Sequence, residues 1–589
     1  MRLAVSKVRK AISRTTTIGV LIILVVVAVA GAYYFSTSSP SGSSTTSSSS
    51  SSSTATSSSQ SSITTTSSST NSTITPLGIT WANVPNTDPA IGSDEAGTSA
   101  LINLYDTLVY PTSSGALQPD LATSWTVSPN GTTYTFNLRS GVTFHNGDAL
   151  TASDVVFSMN RLLTMGQGYS YLFTASVANT TAIGTTTVVF DLKKTFGPFL
   201  STLPRLYILD QKQVVAHEVS TGSQYGSNLD YGSAWLLTHD AGSGPYSITY
   251  ANLETNVILK EFPNYWNGTL PNQPQEVNFI GSTTPSTVAS LFKSGQIQIT
   301  DTYQTYQNVE TLAALPNAKL VTIPSLNEFY FMIDTQKQPT NDIYLREAMT
   351  YAFNYSAVIN NIWPGVQYAA GPVPAALPGH NPNIPASHQD LAMANQLIKQ
   401  SAYYKSGNLS SYPITFYWVT QVPQEQSLAE QFASDMAKIG ITVNVVGEPW
   451  LTVVADLGNE TSSPNIAAVQ DAASYYEAGS LLQSRYTTPA EGTWEQNEWL
   501  HNSTLDSLIY SALSTVNQTQ RFQDYFNIQQ QIYNMYPSIY AFDVTEVRAY
   551  YPSVVNWYAA NGHPNTLEGY DWFFRDIQFY PAQLAALFG

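Results

Sequence analysis

The sequence predicts an α/β protein with more than one core, and three observations carry that reading. Gln431 to Ile439 has the pattern of a helix, Gly440 stops it, and Ile441 to Val446 follows as an alternating strand. The stretch from Leu104 to Leu163 reads as a hairpin feeding a capped helix. Asn130-Gly131 offers the two positive-φ positions of a tight turn, and Tyr134, Phe136 and Leu138 alternate along the strand that leaves it. Thr151, with Asp154 three residues on, forms a capping box ahead of the apolar positions Val155, Val156, Met159, Leu162 and Leu163. Finally, 589 residues exceed what one ordinary core holds, so two or three domains are expected.

Composition narrows the class. Hydrophobic residues make up 43% of the chain and aromatics 12%, which suits a globular protein. Charged residues are only 11%, less than half the usual share of about 25%, so the surface is rich in hydroxyls and amides. Such a surface suits an acidic medium, where carboxylates are protonated. The net charge is −17, although Arg2, Lys7, Arg9, Lys10 and Arg14 crowd the N-terminus and no acid precedes Asp88; the rest of the chain is therefore more acidic still. Nucleic acid is not an expected partner, because phosphate binding needs clustered Lys and Arg. The absence of cysteine excludes disulfides, thiolate catalysis and Cys-ligated metals.

Residues 1–14 are basic, and residues 15–35 contain an apolar run about long enough to span a bilayer, with the flanking positive charge holding the N-terminus inside. Lys10-Ala11-Ile12-Ser13 resembles the processing site of archaeal pilin-like signal peptides; cutting there would leave the anchor attached. The small residues from Ala28 to Ala32 offer an ordinary signal-peptidase site instead. Residues 36–76 are nearly all Ser and Thr and read as a disordered stalk with a reach of about 35 Å. The expected location is the cell membrane, single-pass, with the C-terminal head outside. Sequons at Asn71, Asn130, Asn179, Asn267, Asn354, Asn408, Asn459, Asn502 and Asn517 suit an exported glycoprotein.

The globular part begins at Leu77. Thr186 to Leu192 reads as a strand and Pro198 to Pro204 as a docking segment. Gly242-Ser243-Gly244-Pro245-Tyr246 precedes the alternating Val257, Leu259 and Glu261, followed by Asn264-Tyr265-Trp266. Val288 to Gly295 (VASLFKSG) is followed by Gln296-Ile297-Gln298-Ile299. Asn341 to Ala352 is an amphipathic helix whose Leu345, Ala348, Met349 and Ala352 share a face. Leu391 to Ile398 is a further helix, and Thr519 to Tyr536 is the last, ahead of a strand at Ile539 to Val544.

Five ordered blocks carry a family likeness: Tyr105-Asp106-Thr107-Leu108, Leu117 to Trp125 (LQPDLATSW), Tyr134 to Arg139 (YTFNLR), Phe144-His145-Asn146-Gly147, and Thr151 to Val155 (TASDV). In sequence and spacing they resemble the signature of the dipeptide/oligopeptide (family 5) solute-binding proteins of ABC importers. The Gly242–Tyr246, Asn264–Trp266 and Asn341–Ala352 segments resemble that family too, and the likeness covers roughly Leu77 to Phe579. It implies a two-lobed periplasmic-binding-protein-like fold (type II, cluster C), with an extra small domain and a hinge. Residues 77–105, 206–325 and 541–589 would form lobe I, residues 106–205 the small domain II, and residues 326–540 lobe III. A ligand would be held between the lobes and passed to permease subunits served by separate ATPase subunits. No cofactor, metal or catalytic residue is implied.

The likeness breaks where the ligand is chosen. In peptide-binding members an aspartate following a strand pairs with the ligand's α-amino group. The corresponding stretch here is Val469 to Glu477, in which Ser474 takes the place of the aspartate and Asp471 falls where a tryptophan would be. A serine cannot neutralise a buried ammonium, so Asp471 or Glu477 would have to substitute. Sugars need aromatic platforms rather than a charge partner, and the chain holds 37 tyrosines and 11 tryptophans. Tyr169, Tyr171, Trp418, Trp450, Tyr475 and Tyr476 are candidate stacking residues, and Glu95 lies near the family's N-terminal cleft positions. The ligand is an oligopeptide by family default, or an oligosaccharide by the Ser474 departure.

Enzyme motifs are missing. No P-loop, Gly-x-Ser-x-Gly elbow or His-Glu-x-x-His occurs, and the seven histidines are scattered and read as surface or structural. Glu491, Glu495 and Glu498 have the residue type of glycosidase carboxylates but read as a solvated loop. The competing classes are a cell-surface adhesion or surface-layer protein and, behind it, a surface glycoside hydrolase.

Overall fold

A computed structural model describes residues 74–220, 225–281, 284–565 and 567–588. The basic segment 1–14, the expected span 15–35 and all but the end of the 36–76 stalk lie outside the described residues. Among the described residues no helix is long and apolar enough to cross a membrane.

One six-stranded sheet and two four-stranded ones organise the head. The first is four-stranded, in the order Leu77–Trp81, Glu276–Gly281, Asn256–Glu261, Tyr246–Asn252, with its first pair parallel and the others antiparallel. The second has six strands, in the order Gln367–Tyr368, Ser538–Tyr550, Lys319–Ile333, Ile466–Ala472, Ile414–Val419, Val443–Glu448. The third is a four-stranded antiparallel sheet over residues 122–192, in the order Ala122–Val127, Thr133–Leu138, Thr187–Leu192, Val177–Ile183, with the helix Ala152–Met165 packed against it.

Helix and strand appear where the pattern places them, with shifted ends. The helix expected from Gln431 starts earlier, at Pro423, because proline is suited to the first helical position, and runs to Ala437; its following strand is Val443–Glu448. Asp154 caps its helix, accepting from the Thr151 backbone N–H at 2.8 Å, and Gly166 closes the helix in the left-handed region (φ 67°). The hairpin at Asn130-Gly131 differs from expectation: only Gly131 has positive φ (69°), and its N–H bonds to the Ser128 carbonyl at 2.8 Å. Pro129, second in this turn, presets a right-handed turn that a two-residue mirror-image loop could not accommodate. Ile299 forms isolated bridges to Ile79 and to Tyr550.

Two long strands, Lys319–Ile333 and Ser538–Tyr550, run antiparallel and cross from one lobe to the other. Lys319 to Pro324 pairs with Thr545 to Tyr550 beside the first sheet; Glu328 to Met332 pairs with Ser538 to Asp543 inside the second. Between these halves the register shifts from Pro324 to Glu328, so the ladder is interrupted where the chain leaves one lobe for the other. Each lobe has its own aromatic core. Trp572 packs against Trp81 (5.1 Å) and Trp557 (4.5 Å) in the first, and Phe331 against Phe353, Phe416 and Phe432 (5.2–5.3 Å) in the second. The molecule is thus the two-lobed, hinged α/β fold with an added small domain.

Candidate functional site

The interrupted ladder forms the floor of a cleft. A cavity of about 10 Å³, the room one water needs, is lined there by Glu95, Ser325, Asn327, Ala472, Glu568 and Asp571 among others, so both crossing strands' neighbours and both lobes contribute to it. The small domain and the second lobe meet in direct contacts. The hydroxyls of Tyr171 and Ser474 are hydrogen-bonded at 2.5 Å. Arg205 donates from Nε to the Ser474 carbonyl (2.9 Å) and from Nη1 to the Glu568 carbonyl (3.1 Å), tying three separate segments together. Gly197 N–H donates to the Leu513 carbonyl at 2.7 Å, and Lys194 lies 5.1 Å from the Tyr510 ring.

On the first-lobe side the charged groups are dense. Arg548, fully buried between Trp572 (4.8 Å) and Trp81 (5.4 Å), donates to Glu546 at 2.7 Å and to Glu95 at 3.0 Å. Glu95 also accepts from the Tyr303 hydroxyl at 2.7 Å. Burial pushes the Glu95 carboxyl up to about 7, with Glu546 adding to the rise and Arg548 opposing it. Burial likewise pushes Glu568 up to about 8 against the pull of Arg205, and holds Asp571 well above the usual carboxylate range.

On the other side, neither of the two acids that could have replaced the missing aspartate is available. Asp471 accepts from Arg485 Nε at 2.7 Å; the same guanidinium bonds Glu328 and lies 4.1 Å from the Tyr330 ring. Glu477 takes both arms of Arg521 (2.6 and 2.7 Å) and the Tyr525 hydroxyl (2.7 Å). Each carboxylate is thus ion-paired to an arginine of its own lobe. Ser474 itself is buried, with its hydroxyl bonded to that of Tyr171.

The aromatic candidates separate. Tyr171 reaches Ser474. Tyr169 is buried, its hydroxyl bonded to Thr98 at 2.8 Å and one ring face covered by Arg205 at 4.8 Å. Tyr475 is fully buried and offers no stacking face, because its ring is part of the core. Tyr476 is half-buried against Gly115 of the small domain. Trp418 packs beside Gly447, and Trp450 meets Trp494 edge-on at 5.0 Å; neither lines the cavity. The Glu491–Glu498 loop is not the solvated surface expected. Glu498 is fully buried, accepts from Ser538 at 2.6 Å, and like Glu495 is pushed by burial up to about 8.

Sequence reasoning passed over Arg205, Glu546, Arg548, Glu568 and Asp571. Arg205 sits just after the Pro198–Pro204 segment, and an arginine in so apolar a run (LPRLYIL) was the available signal. The other four lie in or after the second crossing strand, where Glu546 and Arg548, two residues apart and so on one face of the strand, marked an ion pair.

Two lobes, two crossing strands and a polar cleft between them define a hinged solute-binding protein. Residues 116–491 match the family described as bacterial extracellular solute-binding proteins, family 5 Middle. The chain belongs to that family. It is 26% identical over 379 residues to the dipeptide-binding protein of Escherichia coli K12, covering 59% of this chain and 67% of the relative. It is 26% identical over 467 residues to the probable D,D-dipeptide-binding periplasmic protein DdpA of the same organism, covering 77% and 86%. The fold superposes on the Helicobacter pylori periplasmic binding protein DppA in complex with the peptide STSA, with a TM-score of 0.74 at 24% identity, over 86% of this chain and 98% of the other.

Proposed function

We propose that this protein is the extracytoplasmic solute-binding component of an ABC importer, capturing an oligopeptide between its lobes and delivering it to permease subunits that work with separate ATPase subunits. The observation that carries the reading is the convergence of polar groups from three segments, Tyr171, Arg205 and Ser474, which bond to one another across separate parts of the head. Contacts that form only when the lobes meet reward closure, and a ligand held between lobes is what closure would trap. The division into residues 77–105, 206–325 and 541–589, then 106–205, then 326–540, belongs to the same reading. So does a head tethered outside the cell by residues 15–35 and the Ser/Thr-rich stalk, held near its membrane partners at high effective concentration.

An oligosaccharide is the second reading, favoured by one observation: the second lobe offers the cleft a serine hydroxyl in place of a free carboxylate. A thermal-shift screen of the full-length protein against free-amine peptides, their N-acetylated counterparts and neutral oligosaccharides decides between them. A ligand at a hundred times its Kd adds about 2.7 kcal/mol of stability, so binding is readily seen. Stabilisation by peptides supports the first reading, and stabilisation by oligosaccharides alone supports the second. Cleavage of a probe contradicts both.

A further inference from the structure

The first-lobe corner of the cleft holds more carboxyl groups than its own cations pair. Glu95, at the start of the helix Glu95–Leu104, Glu546 of the second crossing strand, and Glu568 and Asp571 of the turn that follows all line one cavity. Arg548 is the guanidinium ion-paired there, and it serves Glu95 and Glu546. Arg205 donates to the carbonyls of Ser474 and Glu568 and makes no ion pair among the described residues. That leaves Glu568 and Asp571. Asp571 is only 5% exposed, and its Oδ2 has no hydrogen-bond partner among the described residues. A buried acceptor left in this way carries a desolvation cost of about 1–3 kcal/mol and calls for an explanation.

The explanation that fits the chemistry is a cation brought by the ligand. No group of three or more His, Asp or Glu among the described residues is arranged to hold a metal ion, which directs attention to an organic cation. An ammonium is close in size to the one water that the cavity admits, and it carries three donors. Asp571, Glu568 and Glu95 offer carboxyl groups around the cavity, whose ionised form burial disfavours and a bound cation would favour, and Ser325, Asn327 and Asn565 offer neutral acceptors on its wall. We propose that this corner is a subsite for the ligand's ammonium group, with Asp571 as its anchor and Glu568 and Glu95 beside it. The proposal rests on the peptide reading. It places the positive end of the ligand on the first lobe, opposite Ser474, because the second lobe's Asp471 and Glu477 are already held by arginines.

The test is titration calorimetry of the full-length protein with four probes: tetra-alanine, N-acetyl-tetra-alanine, a glucosamine tetramer and an N-acetylglucosamine tetramer. Wild type is expected to bind the free-amine member of a pair about tenfold tighter than its acetylated twin. Asp571→Asn, which keeps the shape of the side chain, is expected to abolish that preference while leaving affinity for the acetylated twin within about twofold. Glu568→Gln provides a second variant, expected to reduce the preference, if the first fails to fold. Equal affinity for both twins in wild type, or a preference that survives in the variants, overturns the subsite and leaves the peptide reading standing. An amine preference confined to the sugar pair overturns the peptide reading and keeps the subsite. No binding by any of the four overturns both.

Discussion

At the scale of single residues, the stretch from Asp471 to Glu477 shows how charge pairing decides what a cleft can recognise. Two acids flank Ser474 in sequence, yet each is bonded to an arginine of its own lobe, Arg485 and Arg521. Breaking such a pair leaves one charge buried without compensation, so Arg521→Ala is expected to cost about 3–5 kcal/mol in denaturant unfolding. A loss below about 1 kcal/mol would mean that Glu477 reaches solvent. Ser474→Ala removes the hydroxyl that meets Tyr171 and is expected to cost about 0.5–1.5 kcal/mol, read as a small drop in Tm. The departure at Ser474 was legible in the sequence because one residue type replaced another. The pairing of its neighbours was not, since the arginines lie 14 and 44 residues away from their acids. Asp571 was invisible for the same reason: an unpartnered oxygen is a property of a packed structure.

At the scale of elements, local signals worked where an element carries its own punctuation. The capped helix over residues 152–165, ended by Gly166, and the helix over residues 423–437 lie close to their expected places. The crossing strand Lys319–Ile333 was not read, because its role depends on a partner more than two hundred residues downstream and its middle departs from regular pairing. Small-domain contacts were equally hidden. Gly115, at φ 76°, lets the tip of a hairpin lie against the Tyr476 ring, and a Cβ there would come within 1.7 Å of a ring carbon. Gly115→Ala is therefore expected to push the small domain from the second lobe, weakening ligand binding and lowering Tm together. An unchanged affinity would show that this contact plays no part in closure.

At the scale of the whole molecule, the scarcity of charge has a thermodynamic consequence. Burial pushes Glu495, Glu498 and Glu568 up to about 8 and Asp334 and Asp543 up to about 6, and none of these is ion-paired to an arginine among the described residues. A carboxyl with a raised folded-state value binds its proton more tightly folded than unfolded. Its contribution is complete below the unfolded value and is lost as pH rises through the folded one. Stability is therefore expected to fall between about pH 5 and about pH 8, in agreement with a surface suited to an acidic medium. A Tm that rises steadily over that interval would contradict the account. Family, fold class and two-lobed architecture were legible in the ordered motif blocks; the cleft and its uneven charge emerged only when distant segments were brought together. The central claim is that the lobes bind a solute without transforming it. It is tested most directly by titrating the full-length protein with an oligopeptide and recovering the ligand for mass spectrometry. Saturable binding at one ligand per protein, with the peptide recovered intact, is the result expected; cleavage of the peptide, or no saturable binding of any peptide or oligosaccharide, would contradict it.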